Sequence, residues 1–443
     1  MKELFSFDFD WLSEEFGNDE DRCTAAEVGL RVGDIYLTEL EDLRARTVRQ
    51  RMRVSANTLA LWLAGNWWRL RWEAEPSHAD LDWRMSHCLA AAGGGHVWPN
   101  LFFCGDGETM HLDLKVTEHF NFPVRYLRDV SRMIPIVDFE SSVDQFIESV
   151  IARLEASGLC NAALITLWRE IQHERHTPAL AAYRKLEALL GFDADECSES
   201  LMEKLDDLSG KHGRGAIEEM AAACGPDAVA NMDALVAHGK PLAQPITIPA
   251  SAKIRTGMQH NHKKLELQPW QIADAVAKQA RSEWSLAPDE PISAQAFAGI
   301  VAMDPTLLES QDAIHHTPMS AGFRNGEAHD SIAIILDKKR DTSRRFGLAR
   351  IIGDHFYSKP EDRFLPATSA KTVRQKFQRA FAQALLCPFD GLMATIGDHT
   401  ADDDAIQDAA AIFGVSPRLV TTTLVNKGVL DRESLFGLNA DYN

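Results

Sequence analysis

The sequence predicts an α+β protein that is mainly helical, and three stretches of the chain support this prediction. Residues 1–138 mix alternating apolar and polar runs, which are typical of strands, with helical signals. Residues 139–235 read as successive helices with short loops. Residues 267–443 combine long helices with one short apolar strand at 331–336. We therefore predict a mixed α/β N-terminal domain, a helical middle, a linker over 236–266 and a C-terminal domain with a small sheet.

Length and charge limit the possible partners. A chain of 443 residues with 45% apolar and 25% charged residues has enough material for two or three packed domains. Its formal net charge is -19. Nucleic-acid affinity comes mostly from neutralising phosphates, so this charge disfavours a nucleic-acid partner. The charge is explained by a surface that keeps the protein dissolved, or alternatively by a basic protein partner.

The compartment follows from the N-terminus and the cysteines. Residues 1–21 are rich in acidic residues and lack the basic and apolar regions of a secretory signal. No stretch reaches the roughly 18 apolar residues that a membrane span needs. The seven cysteines are scattered and form no CxxC pair, which disfavours a disulfide framework and a cysteine zinc site. We predict a cytoplasmic protein without membrane contact.

Strand and helix signals alternate in the N-terminal domain. Residues 26–40 alternate in polarity around a Gly-Asp turn, which predicts a hairpin. A second strand-like run ends near Val54, and Ser55 is a candidate N-cap. The following helix, 58–72, is apolar almost all round, so we expect it to be buried. Two further stretches carry strand signals, 97–116 and 122–139.

The end of that apolar helix is dense in tryptophan and arginine. Four of its residues are candidates for a partner-binding surface: Trp67, Trp68, Arg69 and Arg71. Aromatic residues at helical spacing in an apolar segment also fit an ordinary core. Both interpretations stay open at the level of the sequence.

The middle of the chain has apolar residues at helical spacing in five segments: 143–154, 162–174, 177–190, 199–208 and 216–223. Gly225-Pro226 then interrupts the pattern. Residues 239–257 contain three prolines and few periodic apolar positions, which indicates a domain junction.

The C-terminal domain begins with Gln268-Pro269-Trp270, which introduces an amphipathic helix. After the strand at 331–336 come three recognisable pieces. They are 344–357 (RRFGLARIIGDHFY), 374–388 (RQKFQRAFAQALLCP) and 409–430 (AAAIFGVSPRLVTTTLVNKGVL).

In order and spacing these pieces resemble the ImmA/IrrE family of zinc-dependent endopeptidases. That family places a metal-binding helix of the form RFxLAHELGH after a strand, then a helix ending in FAAxLLMP, then an FxVS segment. The matching residues here are Arg345-Phe346, Leu348-Ala349, Gly353, Phe381-Ala382, Leu385-Leu386, Pro388 and Phe413-Gly414-Val415-Ser416. The resemblance spans residues 268–430 and implies a zincin-like C-terminal domain.

The metal-binding positions depart from the family pattern. Arg350 replaces the first His, Ile351 replaces the Glu that acts as general base, and Asp354 replaces the second His. The third ligand, a Glu, would fall within 374–380, which contains no acidic residue. A guanidinium has no lone pair to donate to zinc, and an isoleucine cannot move a proton. The resemblance therefore predicts neither a bound metal nor a catalytic residue.

The degenerate active-site positions are Arg350, Ile351, Gly353, Asp354 and His355. Arg350 and Asp354 are four residues apart, a spacing at which opposite charges attract on a helix. We therefore predict an Arg350–Asp354 ion pair in place of the metal.

A rebuilt metal site is the alternative. The candidate ligands are Asp354-His355, Asp398-His399, His315-His316 and His329-Asp330. Adjacent residues on a helix point about 100 degrees apart, so such pairs are poor joint ligands. Helix-end and loop polar groups are the simpler explanation.

Residues 409–424 resemble a helix-turn-helix with Gly414 at the turn. A DNA-reading second helix needs several Arg, Lys, Asn or Gln side chains, and this one offers Arg418 alone. A structural role for the segment is the favoured interpretation.

The resemblance implies a catalytically silent protein that acts as a cytoplasmic sensor or regulator through protein–protein contacts. Family members act in stress-response, mobile-element and phage-related circuits, so phage defence is one expected setting. An active metallo-endopeptidase with altered ligands is the first alternative and would need zinc; otherwise no cofactor is expected. A DNA-binding transcriptional regulator is the second alternative.

Overall fold

The structure is a computed structural model that describes residues 5–13, 17–76, 80–116, 122–264, 268–309, 317–324, 330–397, 399–400 and 402–435. It confirms an α+β fold that is mainly helical, with 55% helix and 17% strand. The chain divides into two compact units: unit 1 is Met1–Glu199 and unit 2 is Ser200–Asn443.

Three antiparallel sheets supply the strand content of unit 1. One has the order β1-β2-β3 with β6 also paired to β2, a second has the order β10-β8-β7, and a third has the order β5-β4-β9. The strands are β1 (Phe5–Trp11), β2 (Ala25–Val32), β3 (Ile35–Tyr36), β4 (Leu40–Asp42), β5 (Thr47–Arg49), β6 (Met52–Ser55), β7 (Asn100–Gly105), β8 (Thr109–Lys115), β9 (Val124–Tyr126) and β10 (Val130–Pro135).

The helices of unit 1 are α1 (Asp19–Cys23), α2 (Ala56–Gly65), α3 (Trp67–Trp72), α4 (Leu81–His87), α5 (Ile136–Ala156), α6 (Ala163–His176) and α7 (Pro178–Leu189). Large aromatic side chains from strands and helices meet in one core. Phe103 of β7, for example, lies 5.8 Å from Phe139 of α5 between ring centroids. Burying each such ring contributes about 1.5–3 kcal/mol.

Local sequence signals account for the start of unit 1. The predicted hairpin is β2 paired with β3, which registers Val32 opposite Ile35 across the Gly-Asp turn. Ser55 caps α2, because its hydroxyl accepts a hydrogen bond from the backbone N–H of Thr58 at 3.3 Å. The apolar helix is interrupted at Asn66, where α2 ends and α3 begins.

Unit 2 contains a four-stranded antiparallel sheet of order β11-β13-β12-β14. Its strands are β11 (Gln244–Thr247), β12 (Ser320–Arg324), β13 (Ser331–Ile335) and β14 (Phe364–Ala367). The helices are α8 (Glu199–His212), α9 (Arg214–Cys224), α10 (Ala228–Ala234), α11 (Ser251–Lys264), α12 (Pro269–Glu283), α13 (Ala294–Ile300), α14 (Thr306–Glu309), α15 (Asp341–Tyr357), α16 (Val373–Leu386), α17 (Phe389–Ile396), α18 (Asp403–Phe413) and α19 (Pro417–Asn426).

Helices α12, α15 and α16 surround the core of unit 2. Phe356 of α15 and Phe381 of α16 meet edge to face with ring centroids 5.7 Å apart. Val276 of α12 and Leu385 of α16 are also buried in this core. The buried face of α16 repeats at helical spacing, as its sequence predicts.

The unit boundary differs from the predicted domain boundaries. It falls inside the predicted helical middle, so α8, α9 and α10 belong with the C-terminal part of the chain. The predicted linker, 236–266, contains β11, which pairs with β13. A four-residue strand that contains a proline gives little periodic signal, because its stability comes from backbone bonds to a strand distant in sequence.

Candidate functional site

Helix α15 carries all the degenerate positions and lies directly on the sheet. Gly322 of β12 leaves space for it, since a Cβ there would come within 2.7 Å of Ile351 Cγ2. Ile351 is fully buried in the core of unit 2. The residue at the position of the family's general base is therefore a packing residue between helix and sheet.

Gly353 allows α15 and α16 to approach closely. A Cβ at Gly353 would lie 2.7 Å from Phe381 Cδ1. The Phe381 ring occupies the space that a side chain at Gly353 would need. This contact constrains the rotation of α15 about its own axis, relative to α16. Asp354, the next residue, is thereby directed to the buried interface of these helices.

Asp354 makes a bidentate ion pair with Arg374 of α16. Arg374 Nε donates to Oδ1 at 2.7 Å and Nη2 donates to Oδ2 at 2.8 Å. The third nitrogen, Nη1, donates to Asp362 Oδ2 at 2.8 Å. All three side chains are buried. The guanidinium of Arg374 thus connects two carboxylates in a closed, water-poor cluster.

The predicted Arg350–Asp354 ion pair is absent. Both oxygens of Asp354 accept bonds from Arg374. Arg350 instead donates from Nη2 to the carbonyl of Thr368 at 2.6 Å and to Gln378 Oε1 at 3.2 Å. Arg350 has the spacing for an ion pair with Asp354 on the same helix. Arg374, on the neighbouring helix, bonds both carboxylate oxygens, and this bidentate geometry is the stronger interaction.

Glu219 of α9 joins the cluster from a distant part of the sequence. Its Oε2 accepts a hydrogen bond from Thr372 Oγ1 at 2.8 Å. Burial raises the pKa of Glu219, although the charge of Arg374 acts in the opposite direction. Burial also raises the pKa of Asp362, again opposed by Arg374. For Arg374, burial acts to lower the pKa, but the charge of Asp354 and the bonds to it raise it overall.

Two glycines allow α9 to approach the cluster. Gly213 precedes α9 with a φ of 95°, and a Cβ there would lie 2.4 Å from Asp362 Cα. At Gly215 a Cβ would lie 2.8 Å from Asp362 Oδ2. The positive φ and the close approach both require glycine. Without them, Glu219 would be held farther from Arg374.

His355 is also buried on α15, and Arg324 donates both to its Nδ1, at 3.4 Å from Nε, and to the Asp362 carbonyl, at 2.8 Å from Nη1. The backbone carbonyl of His355 accepts bonds from Arg255 Nη1 at 2.9 Å and Arg324 Nη2 at 2.8 Å. Burial, together with the charge of Arg255, lowers the pKa of Arg324 to about 10. His355 therefore lies in a cationic environment, which is unfavourable for metal ligation.

Zinc does not fit the residues at the degenerate site. Arg350 has no lone pair, and both oxygens of Asp354 are engaged by Arg374. Over the described ranges, no group of three or more His, Cys, Asp or Glu side chains is arranged to hold a metal ion. Four ligands suggested for a rebuilt site lie outside those ranges: His315, His316, His329 and Asp398.

The four candidates for a partner surface lie inside unit 1 or at its edge: Trp67, Trp68, Arg69 and Arg71. Trp67 packs edge to face on Trp168 with ring centroids 5.5 Å apart. Arg69 is 3% exposed and donates from Nε to Glu73 Oε2 at 2.6 Å. The structure therefore gives this group a packing role in the core, and it does not form an exposed surface.

Helices α18 and α19 form the predicted helix-turn-helix. Gly414 at the turn is left-handed, with a φ of 60°, and Ser416 caps α19 by accepting from Leu419 N–H at 3.2 Å. Arg345 of α15 donates from Nη1 to the Gly414 carbonyl at 2.8 Å. This bond fixes the turn to α15, which is a structural role.

Comparison with known proteins adds no relative. No family model matches this chain, and neither does any curated protein or solved structure. Within the part of the chain that the structure describes, no helix is both long and apolar enough to cross a membrane. The chemistry of the site must therefore be argued from its own residues.

Sequence reasoning missed three residues of the cluster, Arg374, Asp362 and Glu219. Arg374 had a usable signal: it stands at the start of α16, in the segment where the family pattern expects an acidic ligand. A buried Asp needs a cation, and Arg374 is a cation in the segment that follows α15 in the family pattern. Glu219 had no such signal, since it is 153 residues from its partner Thr372.

Proposed function

We propose that unit 2 is a catalytically silent relative of the ImmA/IrrE peptidases and that the chain is a cytoplasmic regulator. It would act by contact with a protein partner. The observation that carries the proposal is the ion pair of Arg374 with Asp354, in which both carboxylate oxygens are engaged. An oxygen that accepts a strong charge-assisted bond is a poor ligand for a divalent cation.

Hydrolysis by this family's route needs a cation that activates water and a base that removes its proton. Arg350 stands at the first ligand position and would repel a divalent cation. Ile351, at the position of the base, is buried against the sheet and cannot accept a proton. The substitutions therefore remove the ligand, the base and the accessible carboxylate together.

A regulatory role needs a partner, and charge suggests its character. A net charge of -19 favours association with a basic protein surface and opposes association with phosphate backbones. The resemblance suggests stress-response, mobile-element or phage-related circuits as the setting. The retained peptidase-like packing around α15 and α16 would then serve as a scaffold for recognition.

The first experiment measures metal content. The full-length protein is incubated with zinc, dialysed and analysed by mass spectrometry for bound metal. We expect far less than one zinc per chain, and we expect thermal unfolding to be unchanged by EDTA. One tightly bound zinc per chain, lost in Asp354→Asn but kept in the matched variant Asp390→Asn, would favour the altered-ligand peptidase.

A second experiment examines the partner. The tagged chain is recovered from its native cells with zinc or with EDTA, and co-purifying proteins are identified and sized. A partner present at a fixed ratio, with intact termini under both conditions, is the expected result. New partner termini that form with zinc and not with EDTA would contradict the proposal, because they would report proteolysis.

A further inference from the structure

A cavity of about 480 Å³ opens beside the first half of α15, between that helix, α16 and α19. Four basic side chains line it: Lys338, Arg350, Arg379 and Arg418. Among the described residues that line it, none is acidic, although Asp337 Oδ2 lies 3.8 Å from Lys338 Nζ. Such a lining is unexpected in a chain with a net charge of -19, because a random cavity would include carboxylates.

The two arginines at the inner end of the cavity lack carboxylate partners. Arg350 donates to the carbonyl of Thr368 and to glutamine side chains, and its buried Nε has no hydrogen-bond partner. Arg379 donates from Nη2 to the Ala370 carbonyl at 2.7 Å. Within the described ranges, neither forms an ion pair within 4.0 Å. Buried Glu219 offsets both positive charges through space, and Asp354 also acts on Arg350, but neither carboxylate contacts these two guanidinium groups directly.

The titration of these groups agrees with the geometry. Burial, followed by the charge of Arg379, lowers the pKa of Arg350 to about 9. Burial also lowers the pKa of Arg379. Two neighbouring guanidinium groups thus carry an electrostatic cost that a bound anion would relieve.

Neutral hydrogen-bond donors add to the ability of the site to bind an anion. Thr342 and Ser343 line the cavity from the first turn of α15, and their hydroxyls can donate hydrogen bonds to an anion there. The Thr342 N–H is already engaged, because it donates to Asp341 Oδ1 at 2.7 Å. Arg418 contributes an exposed guanidinium from the opposite wall. Several cations and hydroxyls around one space match a polyanionic group better than a single carboxylate.

One part of the cavity wall is apolar. Phe346 of α15 and Leu419 of α19 line it, together with Val415. A volume near 480 Å³ falls within the usual range for small-ligand sites, about 300–1,000 Å³. We propose that this cavity binds a phosphorylated organic anion of nucleotide size, with phosphate on the four basic side chains and a ring on the apolar wall.

This inference does not rest on the regulatory proposal. Arg350, Arg379 and Arg418 surround the cavity whether or not unit 2 descends from a peptidase. Failure of ligand binding would leave the metal and partner experiments untouched, and a bound zinc would leave the cavity's own test valid.

Isothermal titration calorimetry on the full-length protein, in EDTA buffer, provides the test. ATP and ADP are the probes, with inorganic pyrophosphate and adenosine as their separate halves. We expect one nucleotide per chain with a Kd below about 1 mM, and at least about tenfold weaker binding of adenosine. Binding should weaken as salt rises from about 50 to about 500 mM. Pyrophosphate that competes with ADP would support the assignment of phosphate to the basic side chains.

Variants locate the binding site. Arg418→Gln changes an exposed side chain and is expected to weaken ADP binding by at least about tenfold without loss of folding. Arg379→Gln tests the inner end, with folding checked by thermal unfolding. Arg214→Gln removes the same charge from an exposed residue of α9 and should leave binding unchanged. If no phosphate probe binds, or if Arg418→Gln and Arg214→Gln bind ADP equally well, the proposal is overturned.

Discussion

Arg374 donates one hydrogen bond to each carboxylate oxygen of Asp354, at 2.7 and 2.8 Å, across the buried interface of α16 and α15. This pair occupies a position where the resembling family would hold a metal ligand. The charge at Asp354 is therefore neutralised by a neighbouring side chain, and the same guanidinium also bonds Asp362.

Removal of Arg374 should destabilise unit 2 strongly. Arg374→Met leaves Asp354 and Asp362 buried without their cation, a change that typically costs about 3–5 kcal/mol. The double variant Arg374→Met with Asp354→Leu should recover part of this loss, because one unpaired carboxylate is removed. Urea unfolding followed by circular dichroism measures both. If Arg374→Met alone is as stable as the wild type, Arg374 does not neutralise the two buried carboxylates as described.

The pH dependence of stability should report Glu219. Burial raises its pKa above the ordinary 4.5, so its contribution to stability is complete below that value and is lost as pH rises through the raised pKa. Glu219→Gln cannot ionise. We expect the stability of this variant relative to wild type to increase as the pH rises above 4.5, the ordinary pKa of the carboxyl group. A constant difference in unfolding free energy would show that Glu219 is not part of the buried cluster.

Two glycines of α15 should respond in opposite directions to a methyl group. Gly353→Ala would place Cβ 2.7 Å from Phe381 Cδ1, and overpacking of this kind costs about 1–3 kcal/mol. Gly347→Ala meets its nearest atom at 3.7 Å, so it should stabilise the helix by about 0.5–1 kcal/mol. Thermal unfolding compares the two. Equal effects at both positions would argue against close packing of α15 on α16.

Arg69 distinguishes a core from a partner surface in unit 1. It is 3% exposed and bonds Glu73 and Asp82, so Arg69→Ala should cost about 3–5 kcal/mol by leaving the buried Glu73 without its guanidinium partner and with His87 alone, 2.9 Å from Oε2. Arg53→Ala, whose side chain is 61% exposed, should change stability by no more than about 1 kcal/mol. If Arg69 belonged to a partner-binding surface, Arg69→Ala would leave the stability unchanged and would weaken binding of the partner.

Secondary structure was predictable from the sequence where it depends on residues close together in the chain. The hairpin of β2 and β3, the Ser55 cap and the extent of α15 and α16 all depend on residues within a few positions of one another. Turn chemistry, capping and helical periodicity act over that distance.

The cluster around Asp354 was not predictable in the same manner. Spacing on α15 favoured Arg350 as the partner, but the partner is Arg374, whose position depends on how α16 packs. Glu219 and β11 likewise reach their partners through the tertiary fold. Burial determines which charged side chains must form ion pairs. The order of residue types along the sequence does not show which charged side chains will be buried.

The bond from Arg345 to the Gly414 carbonyl has a consequence for selectivity. It joins α15 to the turn that leads into α19, two elements that line the cavity, and the same guanidinium also bonds the Ile292 carbonyl outside it. This connection limits how far α15 and α19 can separate at that end of the cavity. A ligand in this cavity would therefore be selected by size. A larger ligand would have to break the hydrogen bonds of Arg345 in order to enter.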